Sequence, residues 1–177
     1  MKKITLIAVL VGLIYTTNTQ AQDFSFGVKA GLNVSSLSSN AGVNYGSKPG
    51  FHAGVAAEIP FSDAIYFQPE VLVTLQGTGS GLGNDINLFY LSVPFAVKYN
   101  IWDELHIEAG PQLGVLISDN IDVLDTNKLD LGVLVGAGYR LDDNFYFQLR
   151  FNAGFINVIE DSTSKNRVLQ VSAIYFF

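Results

Sequence analysis

The sequence contains no cysteine among its 177 residues, and only 15% of them are charged. A disulfide-stabilised scaffold and a thiolate metal site are therefore excluded. No long apolar run follows Tyr15, so any membrane crossing after that point must be made by strands. Acidic residues outnumber lysine and arginine by 16 to 10, which gives a formal charge of -6. A basic surface for nucleic acid is accordingly not expected, and no nucleic-acid partner is predicted.

The N-terminus has the pattern of a secretory signal peptide. Two lysines follow Met1, the run 4–15 is apolar, and residues 19–21 form a small-residue cleavage signal. The run is shorter than the roughly 18 residues of a membrane-spanning helix, so an N-terminal anchor is the less favoured alternative. We predict a signal peptide at 1–21 and a barrel domain at 22–177. Loss of the two lysines lowers the formal charge from -6 to -8.

Alternation of apolar and polar residues is the dominant pattern of the mature chain. Between Phe145 and Phe155, one set of alternate residues is apolar and the other, which includes Gln148 and Arg150, is largely polar. Successive side chains of a strand point to opposite faces, and roughly 9–11 residues suit a tilted membrane-crossing strand. Seven further segments share this pattern, so strands are predicted at 24–34, 51–61, 65–76, 89–100, 105–115, 129–140, 145–155 and 168–177.

The connections between these segments alternate in length. Those at 35–50, 77–88, 117–128 and 157–167 are long and rich in Ser, Asn, Gly and Asp, whereas 62–64, 101–104 and 142–144 are tight turns. Long and short connections therefore lie at opposite ends, as in outer-membrane barrels. The predicted fold class is all-β, an eight-stranded antiparallel up-and-down transmembrane β-barrel with both termini on the periplasmic side of a Gram-negative outer membrane.

The charged residues of the predicted strands all share the polar face. They are four cations and four anions, namely Lys29, Lys98, Arg140 and Arg150 with Glu58, Glu70, Glu108 and Asp130. A soluble lipocalin-like barrel would show these charges to water and need not balance them. A membrane barrel has to enclose them, and there an unpaired charge is costly. The balance favours the membrane barrel and predicts a charge network in its lumen, with Lys29, Glu70, Glu108 and Arg150 at similar depths forming a paired plug that blocks conduction.

Aromatic residues concentrate at the end with the short turns. They are Phe24, Phe26, Phe61, Phe67, Tyr99, Trp102, Tyr139, Phe145, Tyr175 and Phe177. General β-propensity also favours aromatics, but it does not explain their concentration at one end. An aromatic girdle at the membrane interface does, and Trp102 is predicted to be an interfacial anchor.

Six stretches spread over nearly all of the mature chain resemble a known family. They are 27–33, 67–72, 90–94 followed by 98–99, 108–112, 136–139 and 166–167, and the family is the PorT-type outer-membrane β-barrel proteins common in Bacteroidetes. The resemblance implies a barrel in outer-membrane lipid, inserted by the outer-membrane assembly machinery, with the C-terminal aromatics Tyr175 and Phe177 as the assembly signal. It also implies a link to protein secretion, since the founding member is associated with secretion across the outer membrane. None of the matching motifs is catalytic.

No catalytic or metal-binding constellation is predicted, and no cofactor. The two histidines, His52 and His106, are placed towards opposite ends of the lumen, too far apart to share a site. Asp119, Asp122 and Asp125 carry oxygens suited to calcium. They lack the glycine and terminal glutamate of an EF-hand loop, so a solvated acidic loop is favoured.

The sequence thus predicts a non-enzymatic outer-membrane barrel with a closed, charge-paired lumen. We expect it to be an interaction or assembly component with a secretion-system or surface-protein partner. A narrow porin for small solutes and a loop-based adhesin are the alternatives.

Overall fold

Eight antiparallel strands form a closed barrel in the computed structural model, which describes residues 24–38, 46–79, 86–119, 127–158 and 165–177. The strands are β1 (Ser25–Ser38), β2 (Lys48–Pro60), β3 (Ile65–Thr78), β4 (Ile86–Trp102), β5 (Leu105–Asp119), β6 (Leu129–Arg140), β7 (Phe145–Asn157) and β8 (Lys165–Phe176). Each strand pairs with its neighbours in the chain, and β1 pairs with β8 to close the ring. The predicted fold class is confirmed. The signal peptide predicted at 1–21 lies outside the described residues.

The two faces of the wall follow the predicted alternation. In β8, every second side chain from Asn166 to Phe176 is buried inside the barrel, and those between them are exposed on the outer surface. The outward residues are mainly Val, Leu, Ile and Phe, while the buried ones include six of the twelve charged side chains of the strands. A slip of one residue would exchange the two sets, and for that reason the polarity pattern specifies the register strongly.

The strands are longer than predicted at the end that carries the long loops. β1 continues to Ser38 and β3 to Thr78, while β8 begins at Lys165 rather than Val168. These extensions are rich in polar residues, so the apolar alternation used to delimit the strands stops before the ladder does. Backbone hydrogen bonds need no apolar side chain to continue. Here the ladder is also reinforced by a side chain, because the Ser35 hydroxyl accepts from Gly77 N at 2.8 Å.

Short turns and exposed aromatic rings mark the opposite end of the barrel. The turns are 61–64, 103–104 and 141–144. In the last of them, Asp142 Oδ1 accepts from the backbone N–H groups of Asn144 and Phe145, at 2.9 and 2.7 Å. Trp102 is 69% exposed on the outer surface beside these turns, which is the position expected of an interfacial anchor. That role stays a prediction.

Glycine on the inner face makes room for large side chains of neighbouring strands. A β-carbon at Gly31 would collide with the His52 ring, and one at Gly138 would collide with the phenol of Tyr146. Both glycines follow an alanine that points outwards. The small residue is therefore needed where bulky groups cross the lumen of a narrow barrel.

An arginine on the outer wall tests whether that wall faces lipid. Leu149 lies near the middle of β7 and points outwards. Since a cation at the bilayer midplane costs about 2–4 kcal/mol in a barrel, we expect Leu149→Arg to lower the free energy of unfolding in phosphatidylcholine vesicles by that amount. The change can be followed through the single tryptophan, Trp102, during urea unfolding.

Leu141→Arg is the matched control, because Leu141 is equally exposed but lies in a turn, where the cost should be about 0–1 kcal/mol. Equal destabilisation by both variants would contradict a lipid-facing wall.

Candidate functional site

The interior of the barrel is filled by side chains arranged in successive layers. From the short-turn end, a cluster of cations and aromatic rings is followed by a charged quartet, then by uncharged polar groups, and finally by an apolar cluster at the long-loop end. Eight-stranded barrels have just enough internal space for such filling. The candidate site is therefore the set of lumen charges and what lies above and below them.

The guanidinium of Arg150 lies between two carboxylates at the centre of the lumen. Its Nη2 is 2.7 Å from Glu70 Oε1. Its Nε and Nη2 donate to the two oxygens of Glu108 at 2.8 and 2.9 Å. Lys29 Nζ donates to the other oxygen of Glu70 at 2.9 Å. We call Lys29, Glu70, Glu108 and Arg150 the central quartet; it is electrically neutral and joins alternate strands β1, β3, β5 and β7 across the lumen.

Two glutamines donate further hydrogen bonds to the carboxylates of the central quartet. Gln68 Nε2 donates to Glu70 Oε1 at 2.5 Å, and Gln148 Nε2 donates to Glu108 Oε2 at 3.0 Å. All four charged side chains of the quartet are at most 3% exposed. Charges removed from water to this degree are tolerated only when they are paired and hydrogen-bonded. The quartet is paired by charge and hydrogen-bonded, with bidentate geometry at Glu108, and Arg150 Nη1 is the one charged-group nitrogen of the quartet without a partner among the described residues.

A second charged group, the floor cluster, lies nearer the short turns and consists of Glu58, Lys98 and Arg140. Arg140 Nη2 contacts both oxygens of Glu58, at 2.6 and 2.7 Å, and Lys98 also forms an ion pair with Glu58. Lys98 Nζ lies 4.1 Å from the centre of the Tyr146 ring, and Arg140 Cζ lies 5.4 Å from the Phe176 ring. With two cations and one carboxylate, the floor cluster carries one net positive charge. The faces of the aromatic rings stabilise this excess.

Asp130 lies apart from both charged groups. It lines a small polar cavity with Gln76, Asn152 and Asn166. The amide groups pair among themselves, since Asn166 donates to Gln76 and Asn152 donates to Gln170 at 2.8 Å. Across the described strands, no lysine or arginine lies within ion-pair distance of Asp130. The structure therefore divides the eight predicted charges into a quartet, a floor cluster of three, and this separate carboxylate.

The apolar layer at the long-loop end was missed by sequence reasoning. Its buried members, which we call the apolar cap, are Leu37, Leu88, Tyr90, Leu116 and Val158. They occupy positions that belong to the inner, otherwise polar, face or that lie just beyond a strand. The sequence carries a local signal for this layer. Leu116 is apolar at a position where the alternation predicts a polar residue, between Val115 and Ile117, and Leu37 is flanked by serines. The cap lies at the end of the lumen away from the floor cluster.

The two histidines do not come together. His52 Nε2 lies 2.7 Å from Ser172 Oγ, while the His106 ring packs edge-on against Tyr66 and Tyr146. Both are buried and share no contact partner. Within the described residues, no three His, Cys, Asp or Glu side chains are placed to hold a metal ion.

Two further groups of predicted site residues lie away from the lumen charges. In the acidic segment, Asp119 ends β5, whereas Asp122 and Asp125 lie outside the described residues. At the C-terminus, Tyr175 packs edge-on against Phe145 and Phe177. The assembly signal stays a prediction.

Removing the Arg150 guanidinium tests how strongly the stability of the barrel depends on charge balance in the central quartet. Arg150→Met leaves Glu70 and Glu108 buried with only Lys29 nearby, so we expect the free energy of unfolding to fall by about 3–5 kcal/mol. The double variant Arg150→Met with Glu108→Gln should recover part of this loss, because one uncompensated carboxylate is removed. Urea unfolding in vesicles measures both values.

The control for this experiment is Arg167→Met, which removes an exposed arginine from β8. Its effect should stay within about 0.5 kcal/mol. A loss for Arg150→Met no larger than that of the control would show that the quartet contributes nothing to stability.

Comparison with solved structures relates this chain to small outer-membrane barrels. Neisserial surface protein A superposes with a TM-score of 0.64 at 18% identity, covering 88% of this chain and all of that one. Ail, the attachment invasion locus protein of Yersinia pestis, gives 0.56 at 14%, covering 86% of this chain and 98% of that one. OprG of Pseudomonas aeruginosa gives 0.50 at 12%, covering 86% and 95%. At these identities the similarity establishes the fold alone.

The sequence itself was compared with curated proteins and with models of protein families. No curated protein sequence matches. A family model described as the outer membrane protein beta-barrel domain matches residues 20–160. Within the described part of the chain, no helix is long and apolar enough to cross a membrane. Because the matched residues make up well over half of the sequence, the chain belongs to the outer membrane protein beta-barrel domain family.

Proposed function

We propose that this protein is a non-conducting, non-enzymatic outer-membrane barrel that acts as an interaction or assembly component through its two ends. The observation that supports the proposal is the presence of three side-chain layers in the lumen, namely the floor cluster, the central quartet and the apolar cap. A solute would have to break buried ion pairs and then enter an apolar layer. With transport through the lumen disfavoured, the turns and loops remain as the surfaces for function.

The orientation we propose places the short turns and both termini in the periplasm and the long loops outside the cell. This is the usual arrangement of bacterial outer-membrane barrels. The short turns then present an exposed acidic surface to the periplasm, consisting of Asp63, Asp103, Glu104, Asp142 and Asp143. We call it the acidic turn surface. A periplasmic partner that binds there would carry basic residues, since opposite charges steer and orient association.

The proposed partner is a component of protein secretion or surface assembly. The resemblance of this chain to PorT-type barrels supports it, as does a barrel whose lumen offers no path of its own. In this proposal the protein is a membrane-embedded binding site for a partner. The exported or assembled protein does not cross the membrane through the lumen of this barrel.

Comparing exported proteins between cells lacking the gene and cells with the gene restored tests the proposal. We expect a defined set of secreted or surface proteins to accumulate in the periplasm of the deletion strain. A restored gene carrying Asp63→Lys and Asp143→Lys should leave the barrel in the membrane but reproduce the defect, because it reverses charge on the acidic turn surface. Quantitative proteomics of periplasm and medium gives the result, and unchanged export in the deletion strain would refute the secretion role.

Electrical recording distinguishes the closed barrel from the narrow porin. Purified barrel in planar bilayers should show no stable single-channel steps, with a known open porin in the same bilayer as the positive control. Stable, large currents from the purified barrel would contradict the closed lumen and support a porin instead.

The adhesin alternative is tested by loop trimming. Replacing residues 39–45 or 120–126 with short Gly/Ser connections leaves every strand intact. Under our proposal, adhesion of cells to host ligands is unchanged by either replacement. Loss of adhesion with normal membrane insertion would favour the adhesin.

A further inference from the structure

The outer wall carries two exposed cations that the lumen network does not use. They are Lys165 and Arg167 at the start of β8, and we call them the rim cations. In the alternation of β8 they fall on the same side as Leu169 and Val171, outside the barrel. In the described chain, neither forms an ion pair. They belong to the segment that sequence analysis assigned to a loop, which is why their outward direction was not foreseen.

The rim cations lie at the upper edge of the apolar band. Outward apolar positions of β8 run from Leu169 to Phe177. At about 3.4 Å a residue and a tilt of about 40°, this stretch spans roughly 20 Å, against an expected band of roughly 25 Å. Arg167 is the next outward residue and Lys165 the one after it. Both charged groups therefore reach the level at which lipid head groups begin, since long cationic side chains extend towards the polar interface.

On the two neighbouring strands, the outward face changes from apolar to polar level with Arg167 on β1 and one outward residue higher, level with Lys165, on β7. On β1 the outward apolar run ends at Val34, and the next outward residue, Ser36, pairs with Arg167. On β7, Asn157 pairs with Lys165, beyond the exposed Phe155. The rim cations thus lie among hydrogen-bonding residues and directly above an apolar wall. A ligand that fits this surface has acyl chains below and an anionic head group above.

The charge of the barrel is distributed asymmetrically along its axis. The exposed charges of the short turns are the acidic turn surface, whereas exposed cations on the outer wall occur at the long-loop end. The acidic turn surface repels anionic lipid head groups, and the exposed cations at the long-loop end attract them. In the orientation proposed above, the rim cations face the outer leaflet, whose main lipid in Gram-negative bacteria is a phosphorylated glycolipid.

We propose that Lys165 and Arg167 form a binding site for the phosphate groups of this glycolipid on the outer wall of β8. The inference rests on the proposed orientation but not on the secretion role. Arginine binds phosphate through its planar fork and lysine as a point charge. The site would hold the barrel to the outer leaflet and surround it with ordered lipid on one side.

Titration of the purified full-length barrel in uncharged detergent micelles with bis-phosphorylated lipid A tests the site. Native mass spectrometry counts the bound lipid at each concentration. Each surface cation near anionic lipid strengthens binding about fivefold, so Lys165→Gln with Arg167→Gln should weaken binding about 30-fold. Arg167→Lys should keep most of the affinity. Lipid A without phosphates should bind wild type and the double variant equally weakly.

Lys128→Gln is the matched control, because it removes an exposed cation at the same end, just before β6. It should leave lipid A binding unchanged. Equal binding by wild type and the double variant, or an equal loss in Lys128→Gln, would overturn the site.

Neutralisation of the rim cations by acidic residues that precede β8 in the sequence is the competing arrangement. In that case the double variant would unfold at a lower temperature without lipid A and show no loss of lipid A binding, and the proposal would be refuted. Protease access to residues 120–126 in whole cells tests the orientation separately. Failure of the site can therefore be told apart from failure of the proposed orientation or of the secretion role.

Discussion

The whole structure depends on the requirement that every backbone N–H and C=O group within a bilayer be hydrogen-bonded inside the protein. A sheet can meet it only by closing, which the pairing of β1 with β8 accomplishes. Closure at eight strands leaves an interior that is narrow and has to be filled. The period-two alternation then sends one set of side chains to lipid and the other into this confined space. Both the apolar wall and the packed lumen follow from that single constraint.

The confined interior explains why the polar residues form discrete neutral or aromatic-supported groups. Arg150 forms ion pairs with Glu70 and Glu108, and Lys29 completes the charge balance. The excess cation of the floor cluster rests against the rings of Tyr146 and Phe176 instead. Such groups connect four alternate strands across the lumen and occupy its centre. In a barrel stabilised in this way, the interior side chains pack and pair with one another. The ends and the outer wall are the surfaces left to interact with other molecules.

The two ends of the barrel differ in their connections and in their exposed side chains. One bears short turns, exposed aromatic rings and acidic side chains, and the other bears long connections, the apolar cap inside, and the rim cations outside. Neighbours in the fold such as Neisserial surface protein A and Ail share the barrel but only 18% and 14% of its residues. Their similarity therefore describes the scaffold, and the chemistry of this chain has to be read from its own surfaces.

Sequence alone determined the strand number, the inward and outward faces, and the depth match that brings Arg150 to Glu70 and Glu108. It could do so because the alternation of side chains along a strand is a local property. A short turn also fixes the height of one strand relative to the next strand in the chain. The tertiary structure decided the features that depend on contacts across the lumen or on backbone hydrogen bonding between neighbouring strands. It separated Asp130 from the quartet, assembled the apolar cap from three strands and the residue that follows β7, and extended β8 to Lys165. Backbone pairing continues where the polarity pattern has already ended, and partners across a barrel come from strands far apart in the chain.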